Sequence, residues 1–364
     1  MTDEEIAKLP TLRDILDYYL DGERIIEKRV KNTRYYGLFP TQAHKGLYEP
    51  VLLQDGTHII MPLSPAQYSY YRGESEYHEE CFPSLYRKDM TEASIFVERV
   101  KRCEMKRMMM EYPITEFFAN SIYAQDPSGE WHQLRFRIGL DGMAQHYGIK
   151  TEFMDLTLDP LTAAFFAATS YDPESDTYKA ITDTTKHRYG AFYLYNDIPI
   201  PFRESTRIDV VGMQPLLRPG RQSAYVFRMY PQENFNSLVH KTFFRHDAII
   251  NKEIVCRANK DDQLFPKELI GTRIRKEIVN GDEFSPWAFN EAKRRYAQGK
   301  SDDELKTFLE DRQISLSNTN RAWFTEAEKK VIIDYWETYQ QELFSKIRLR
   351  WSFNGPIRFA DDCK

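Results

Sequence analysis

The chain is 364 residues long, 41% hydrophobic and 14% aromatic, with 50 basic against 55 acidic residues and a formal net charge of -5. The length exceeds a usual single core and the apolar content excludes a disordered polymer, so one elaborated domain or two domains are expected. The balanced charge excludes a global pull toward nucleic acid or anionic membrane; the acidic, amphipathic start MTDEEIAKLPTLRDIL and the lack of a membrane-length apolar run predict a soluble, cytoplasmic protein.

From the N-terminus, Leu12, Ile15, Leu16 and Tyr19 share one helical face behind a Pro-Thr start. YYGLFPTQ and VLLQDGTHIIMPL read as short strands, the second folding back at Asp55-Gly56. ASIFVERVKRCEMKRMMMEYPITEFFAN predicts two helices parted near Pro113, with Met108, Met109 and Met110 filling an irregular core. A loop over Pro127, Ser128 and Gly129 follows, then a helix RFRIGLDGMAQHYG ending at Gly148.

In TEFMDLT, period-two alternation puts Thr151, Phe153, Asp155 and Thr157 on one side of a strand. Asp159-Pro160 then matches an N-cap followed by proline at the first helical position, and LTAAFFAAT is apolar all round, which predicts a buried helix. A carboxylate buried beside it needs a donor; Arg72, His146 and the backbone of the following turn are the candidates for Asp155.

YDPESDTYKAITDTTKHRYG reads as a polar loop, GAFYLYND and SAYVFRMY as strands, and EIVCRA as a further strand. From about Gly281 charged amphipathic helices take over. SDDE at Ser301 and TEAE at Thr325 fit the capping box, and the long helix after Thr325 carries Val331, Ile332, Tyr335, Trp336 and Tyr339 at helical spacing, packed on the main body or held for a partner. The composition shifts divide the chain into residues 1–60, a lead-in of helix and short strands, 61–280, an α+β domain, and 281–364, a helical region.

Cys81, Cys103, Cys256 and Cys363 lack CxxC spacing and read as reduced thiols. The histidines show no HxxxH or HxH pair, His240 and His246 being the nearest, so no metal site is expected.

Two further segments place polar groups where packing does not ask for them. In YSYYRGESE, Tyr70 and Arg72 share a strand face and Gly73 permits close approach. Arg72 suits either a bidentate grip on a phosphate or an internal carboxylate pair. In LLRPGRQSAYVF, a turn presents Arg218, Arg221 and Gln222, for anion binding or for solvent.

Together, YRGESE with FPSLYR, MAQHYGIKTEFMDLTLDPLTAAFFA and RPGRQSAYVF closely resemble the FRG-domain family over roughly Tyr68 to Phe227. The family elements fall on Tyr71, Arg72 and Gly73, on Pro83, Ser84 and Arg87, on Gln145, His146 and Gly148, on Thr151, Asp155 and Thr157, and on Arg218 and Gln222. Lys150, Glu152 and Leu156 stand where the family usually has proline, arginine and tryptophan. A fainter likeness is to the Arg-Ser-Glu class of ADP-ribosyltransferases, whose Tyr-Arg-Gly arginine holds the NAD pyrophosphate. That class also carries a late glutamate, where this chain has Gln222, so Asp155 or Glu74 would have to supply the carboxylate.

These resemblances imply an α+β fold, a mixed or antiparallel sheet with packed helices, an ADP-ribosyltransferase-like core and a helical C-terminal part. They imply NAD or a related nucleotide as substrate, without a required cofactor. The catalytic groups would be Asp155, Gln222 and His146; Tyr71, Arg72, Gly73, Arg87, Thr157 and Arg218 would contact the nucleotide. The reaction would be ADP-ribose transfer or NAD cleavage. The competing expectation is a non-catalytic sensing or protein-interaction module, its partner on the C-terminal helices, in a bacterial and phage-defence setting.

Overall fold

Apolar alternation with period two builds a central sheet. The computed structural model describes residues 1–31, 45–65, 69–125, 128–172, 175, 177–197, 207–348 and 357–359. Its sheet consists of β1 (Ser69–Glu74), β2 (Phe153–Thr157), β3 (Tyr189–Asn196), β4 (Ile208–Val210), β5 (Ala224–Arg228) and β6 (His240–Arg245). The spatial order is β4-β5-β2-β1-β3-β6, antiparallel throughout. With helices against it and a long C-terminal helix, the fold is α+β.

Strand alternation sorts the core. On one face Tyr71, Phe192 and Phe244 pack under α1 (Leu12–Lys31) and α4 (Pro160–Ala168), meeting Leu12, Ile15 and Leu16 as their spacing predicts. On the opposite face Tyr70, Met154, Leu156, Tyr193 and Tyr225 form a second cluster. The largest cluster takes Phe153, Ala224 and Val226 from the sheet, joins them to α2 (Glu92–Glu111) and α3 (Leu140–His146), and runs on to Ile347.

The buried helix α4 starts as its sequence demands. Pro160 opens it, and the Asp159 carboxylate accepts from Leu161 N–H and Thr162 N–H, satisfying orphan donors of the first turn. Gly73 lets this helix rest on β1: a Cβ there would stand 2.0 Å from the Ala163 carbonyl oxygen. The close approach that the glycine permits is therefore to a neighbouring backbone.

Several elements differ from expectation. EIVCRA is helical, within α6 (Ala248–Ala258), because Asp247 caps the first turn and the apolar residues bury with helical period, Ile254 inward and Ile249 outward; tertiary packing overrides the β-branched propensity. α3 begins only at Leu140, since Arg135 and Arg137 exchange backbone bonds with His58. Gly148 does adopt the left-handed φ of +91°. The polar stretch after α4 contains a hairpin, Thr169–Asp172 with Thr177–Ala180, and the RPGR turn is the short helix α5 (Leu217–Arg221). Met108 and Met109 fill the core, whereas Met110 is exposed. The YYGLFPTQ strand, Pro127 and Cys363 lie outside the described residues.

Other expected elements are present, though Ser301 caps its helix without the reciprocal Glu304 bond, that carboxylate pairing with Lys300 instead. Gly56 turns the hairpin of Tyr48–Leu52 and His58–Pro62, and Pro113 separates α2 from Pro113–Asn120. The late helices carry α7 (Pro286–Tyr296) and α8 (Glu326–Ser345), the latter with the full capping box at Thr325. Trp336 is buried; Val331 and Tyr335 face outward.

Candidate functional site

The Tyr-Arg-Gly element sits where the sheet opens. β1 pairs with β3 from Ser69↔Asn196 through Glu74↔Ala191, but with β2 only at Tyr71↔Thr157. Past that point Arg72 Nη1 donates to the Asp155 carbonyl at 3.0 Å, doing what a ladder N–H does in a continued pairing. Its Nε and Nη2 both donate to Glu74 Oε1 at 3.0 Å. Cys81 Sγ also reaches Oε1, at 3.4 Å. Burial, then the Glu74 charge, pushes the Cys81 thiol up to about 12, which leaves it protonated and unreactive. Arg87 is exposed beside this cluster.

Arg72 and Asp155 thus meet, though not through their charges. Alternation puts the Arg72 side chain on the face of Tyr70 and Tyr193, and the Asp155 side chain, like Phe153, on the opposite face. The Asp155 side chain is 38% exposed rather than buried. Its Oδ2 accepts from Gln145 Nε2 at 3.4 Å, and the same Nε2 donates to the Phe153 carbonyl at 3.2 Å. The Thr151 hydroxyl donates in turn to Gln145 Oε1.

The second carboxylate oxygen, Oδ1, stands 3.9 Å from His146 Nε2. The proton on that imidazole can be placed. Gln222 Nε2 donates to the Leu264 carbonyl at 3.1 Å, which turns Gln222 Oε1 toward His146 Nδ1 at 3.1 Å. An amide oxygen only accepts, so Nδ1 carries the hydrogen. Burial, the dominant influence, lowers the His146 pKa, and the neutral ring then has a bare lone pair at Nε2. Nε2 and Asp155 Oδ1 are both buried atoms without a hydrogen-bond partner among the described residues: two acceptors face one another.

The other predicted residues frame this pair or lie apart from it. Arg218 Nη1 donates to the His146 carbonyl at 2.9 Å and its guanidinium lies over the rings of Tyr147 and Phe265. Thr157 Oγ1 donates to the Gln222 carbonyl at 2.7 Å. Asp155, His146, Gln222, Thr157 and Arg218 are therefore one connected group. Tyr71 is buried beneath α4 and Gly73 touches its backbone.

Two acidic residues gain roles that no spacing announces. Glu152, the reversal at the family's arginine position, bridges Arg102 at 2.8 Å and Arg228 at 3.1 Å. Glu268 accepts from Leu217 N–H at 2.6 Å and from the Tyr147 hydroxyl, and burial raises its pKa. Both partnerships span distant segments, beyond the reach of local patterns.

A pH dependence follows from His146. Its folded pKa lies below the ordinary 6.5, so on acidification the unfolded chain binds the proton first. The stabilisation is complete above about pH 6.5 and is lost progressively as pH falls toward the folded value. His58 and His246 are shifted down as well, by burial in each case. Melting temperature should therefore fall between pH 7.5 and 5, and less steeply in His146→Gln. An identical slope in the variant would show that His146 titrates alike in both states.

Among the described residues no helix is long and apolar enough to cross a membrane, and no three His, Cys, Asp or Glu side chains are grouped to hold a metal ion. No curated protein and no solved structure matches the chain. The FRG domain family model matches residues 67–176, a span that includes β1, α3, β2 and α4 and stops short of Arg218 and Gln222. That match lies over the opened β1–β2 pair and the His146–Asp155 group, so residues 67–176 of this chain carry an FRG domain.

Proposed function

We propose that this protein binds a nucleotide such as NAD through its ribose, at the facing acceptors His146 Nε2 and Asp155 Oδ1. The supporting observation is the 3.9 Å separation of two buried, unpartnered acceptor atoms. Bridging that gap takes an oxygen about 2.8 Å from each atom, admitted by rotation of the partly exposed Asp155 carboxylate. A vicinal diol, or a water molecule, brings the two hydrogens that the pair lacks. With a water or target hydroxyl in that place instead of the diol, the pair accepts its proton as the oxygen bonds to the ribosyl carbon and the bond from that carbon to the nicotinamide nitrogen breaks, nicotinamide leaving with the bonding electrons, the general-base role that NAD cleavage or ADP-ribose transfer asks for.

In this reading Gln222 is a positioning residue that sets the His146 tautomer. Arg72 and Arg218 are frame residues, and phosphate recognition falls to other cations. The test is a calorimetric titration of wild type and Asp155→Asn with NAD and ADP-ribose. The partly exposed Asp155 side chain makes no bond to Arg72, so the variant should keep its melting temperature. It should bind about ten- to a hundredfold more weakly, about 1.5–3 kcal/mol for a hydrogen bond to a charged group. Wild type without saturable binding of either compound would sink the proposal.

The outward Val331, 56% exposed, and Tyr335, 52% exposed, favour a second reading, a protein partner held on α8. A null nucleotide titration would leave that one standing.

A further inference from the structure

A cleft of about 250 Å³ opens beside the sheet, and of the residues that carry the family motifs only Phe153 and Val226 line it. Its floor is apolar, with Phe153 and Val226 from β2 and β5 beside Val211, and Leu140 of α3 forms a wall. Its rim is cationic: Lys106, Arg137, Arg228 and Arg295 line it, against the carboxylates of Asp141 and Asp209.

The cations outnumber the carboxylates that pair with them. Glu152 is shared by Arg102 and Arg228, Asp141 by Arg102 and Arg295, and Glu291 by Lys106 and Arg294. Only the Arg137–Asp209 pair, at 3.1 Å, is one to one. Six cations therefore meet four carboxylates, an excess of two positive charges. Arg137, Arg228 and Arg295 each use one nitrogen for the carboxylate bond, and a guanidinium carries five N–H donors. Donors remain for an incoming anion.

We propose that this cleft binds a nucleoside monophosphate. A phosphate monoester carries about -1.5 to -2 charge at neutral pH, matching the excess at the rim. The apolar floor suits a flat ring, and Arg228 already lies 4.7 Å over the Phe153 ring, ready to stack on a second one. Size argues for no more than a single nucleotide, because small-molecule pockets run from about 300 to 1,000 Å³ and this cleft lies just under that range. The proposal does not rest on the His146–Asp155 reading: Phe153 and Val226 flank Asp155 in the sheet, but none of the cations named at the rim bonds to that pair.

The experiment titrates the full chain with AMP, adenosine and inorganic phosphate at low and moderate salt, then repeats AMP with Arg228→Gln and Arg137→Gln. These side chains are 46% and 41% exposed, so folding should survive, and a melting curve of each variant checks it. AMP should bind saturably and more weakly as salt rises, adenosine and phosphate should each bind more weakly than AMP, and each folded variant should lose about tenfold in AMP affinity. If one variant fails to fold, the other carries the comparison. No saturable AMP binding, phosphate binding as tight as AMP, or AMP affinity unchanged in the folded variants overturns the proposal. Asp155→Asn is titrated with AMP as well: AMP held in this cleft loses affinity in Arg228→Gln and Arg137→Gln and keeps it in Asp155→Asn, whereas AMP held through its ribose diol at His146 and Asp155 shows the reverse, which overturns the cleft proposal and leaves the ribose site standing.

Discussion

Gly73→Ala is expected to cost about 3 kcal/mol, the upper end for overpacking a core, although it adds only one methyl group. The new Cβ would lie 2.0 Å from the Ala163 carbonyl oxygen and 2.7 Å from Ala167 Cβ. Neither neighbour is the movable end of a long side chain: both belong to α4, which is held by its Asp159 cap and by burial all round. Relief requires shifting the helix off β1. Gly22→Ala is the matched control, because its Cβ meets nothing within 4 Å in the middle of α1. There the substitution should stabilise by up to about 1 kcal/mol through helix propensity. Denaturant melts of both variants make the comparison, and equal stability of the two would show that α4 yields freely.

The second large effect belongs to Arg72. Removing the guanidinium leaves Glu74 charged and largely enclosed, at 15% side-chain exposure, and takes the only described side-chain donor from the Asp155 carbonyl. Arg72→Met should therefore cost about 3 kcal/mol, the lower figure for breaking a buried pair. Arg72→Lys should fall between, keeping the charge without the three-nitrogen geometry. Adding Glu74→Gln to Arg72→Met should recover part of the loss, since the stranded charge disappears, and the double-mutant cycle measures the coupling. A different result is informative: Arg72→Lys with wild-type stability and weakened NAD binding would return this arginine to the phosphates.

That outcome also marks where local reading reaches its limit. The i, i+2 spacing of Arg72 and Glu74 puts both on one strand face, so their pairing was open to inspection in YRGE. The same alternation applied to β2 places Asp155 with Phe153, but nothing in either segment says which faces coincide once the strands are neighbours. The single pair Tyr71↔Thr157 decides it, and it sends the Arg72 guanidinium and the Asp155 carboxylate to opposite sides. EIVCRA illustrates the complementary failure: β-branched residues suggested a strand, while a capping aspartate just upstream made a helix whose apolar side could be buried.

What the sequence determined by itself was local and short-ranged. Asp159-Pro160 dictated the start of α4, Asp55-Gly56 the hairpin, Thr325 with Glu328 the cap of α8, and the Tyr-Arg-Gly and Gln-His-Tyr-Gly elements the FRG-domain match over residues 67–176, because each depends on groups within a few residues along the chain. Tertiary structure alone decided the rest: that Gly73 serves a helix backbone, that Glu152 and Glu268 are tied to partners far away in sequence, and that His146 Nε2 faces Asp155 Oδ1 with its proton on the other nitrogen. The physical reason is that burial, sheet register and the satisfaction of polar atoms are properties of the neighbours a residue acquires on folding, and those neighbours come from distant segments.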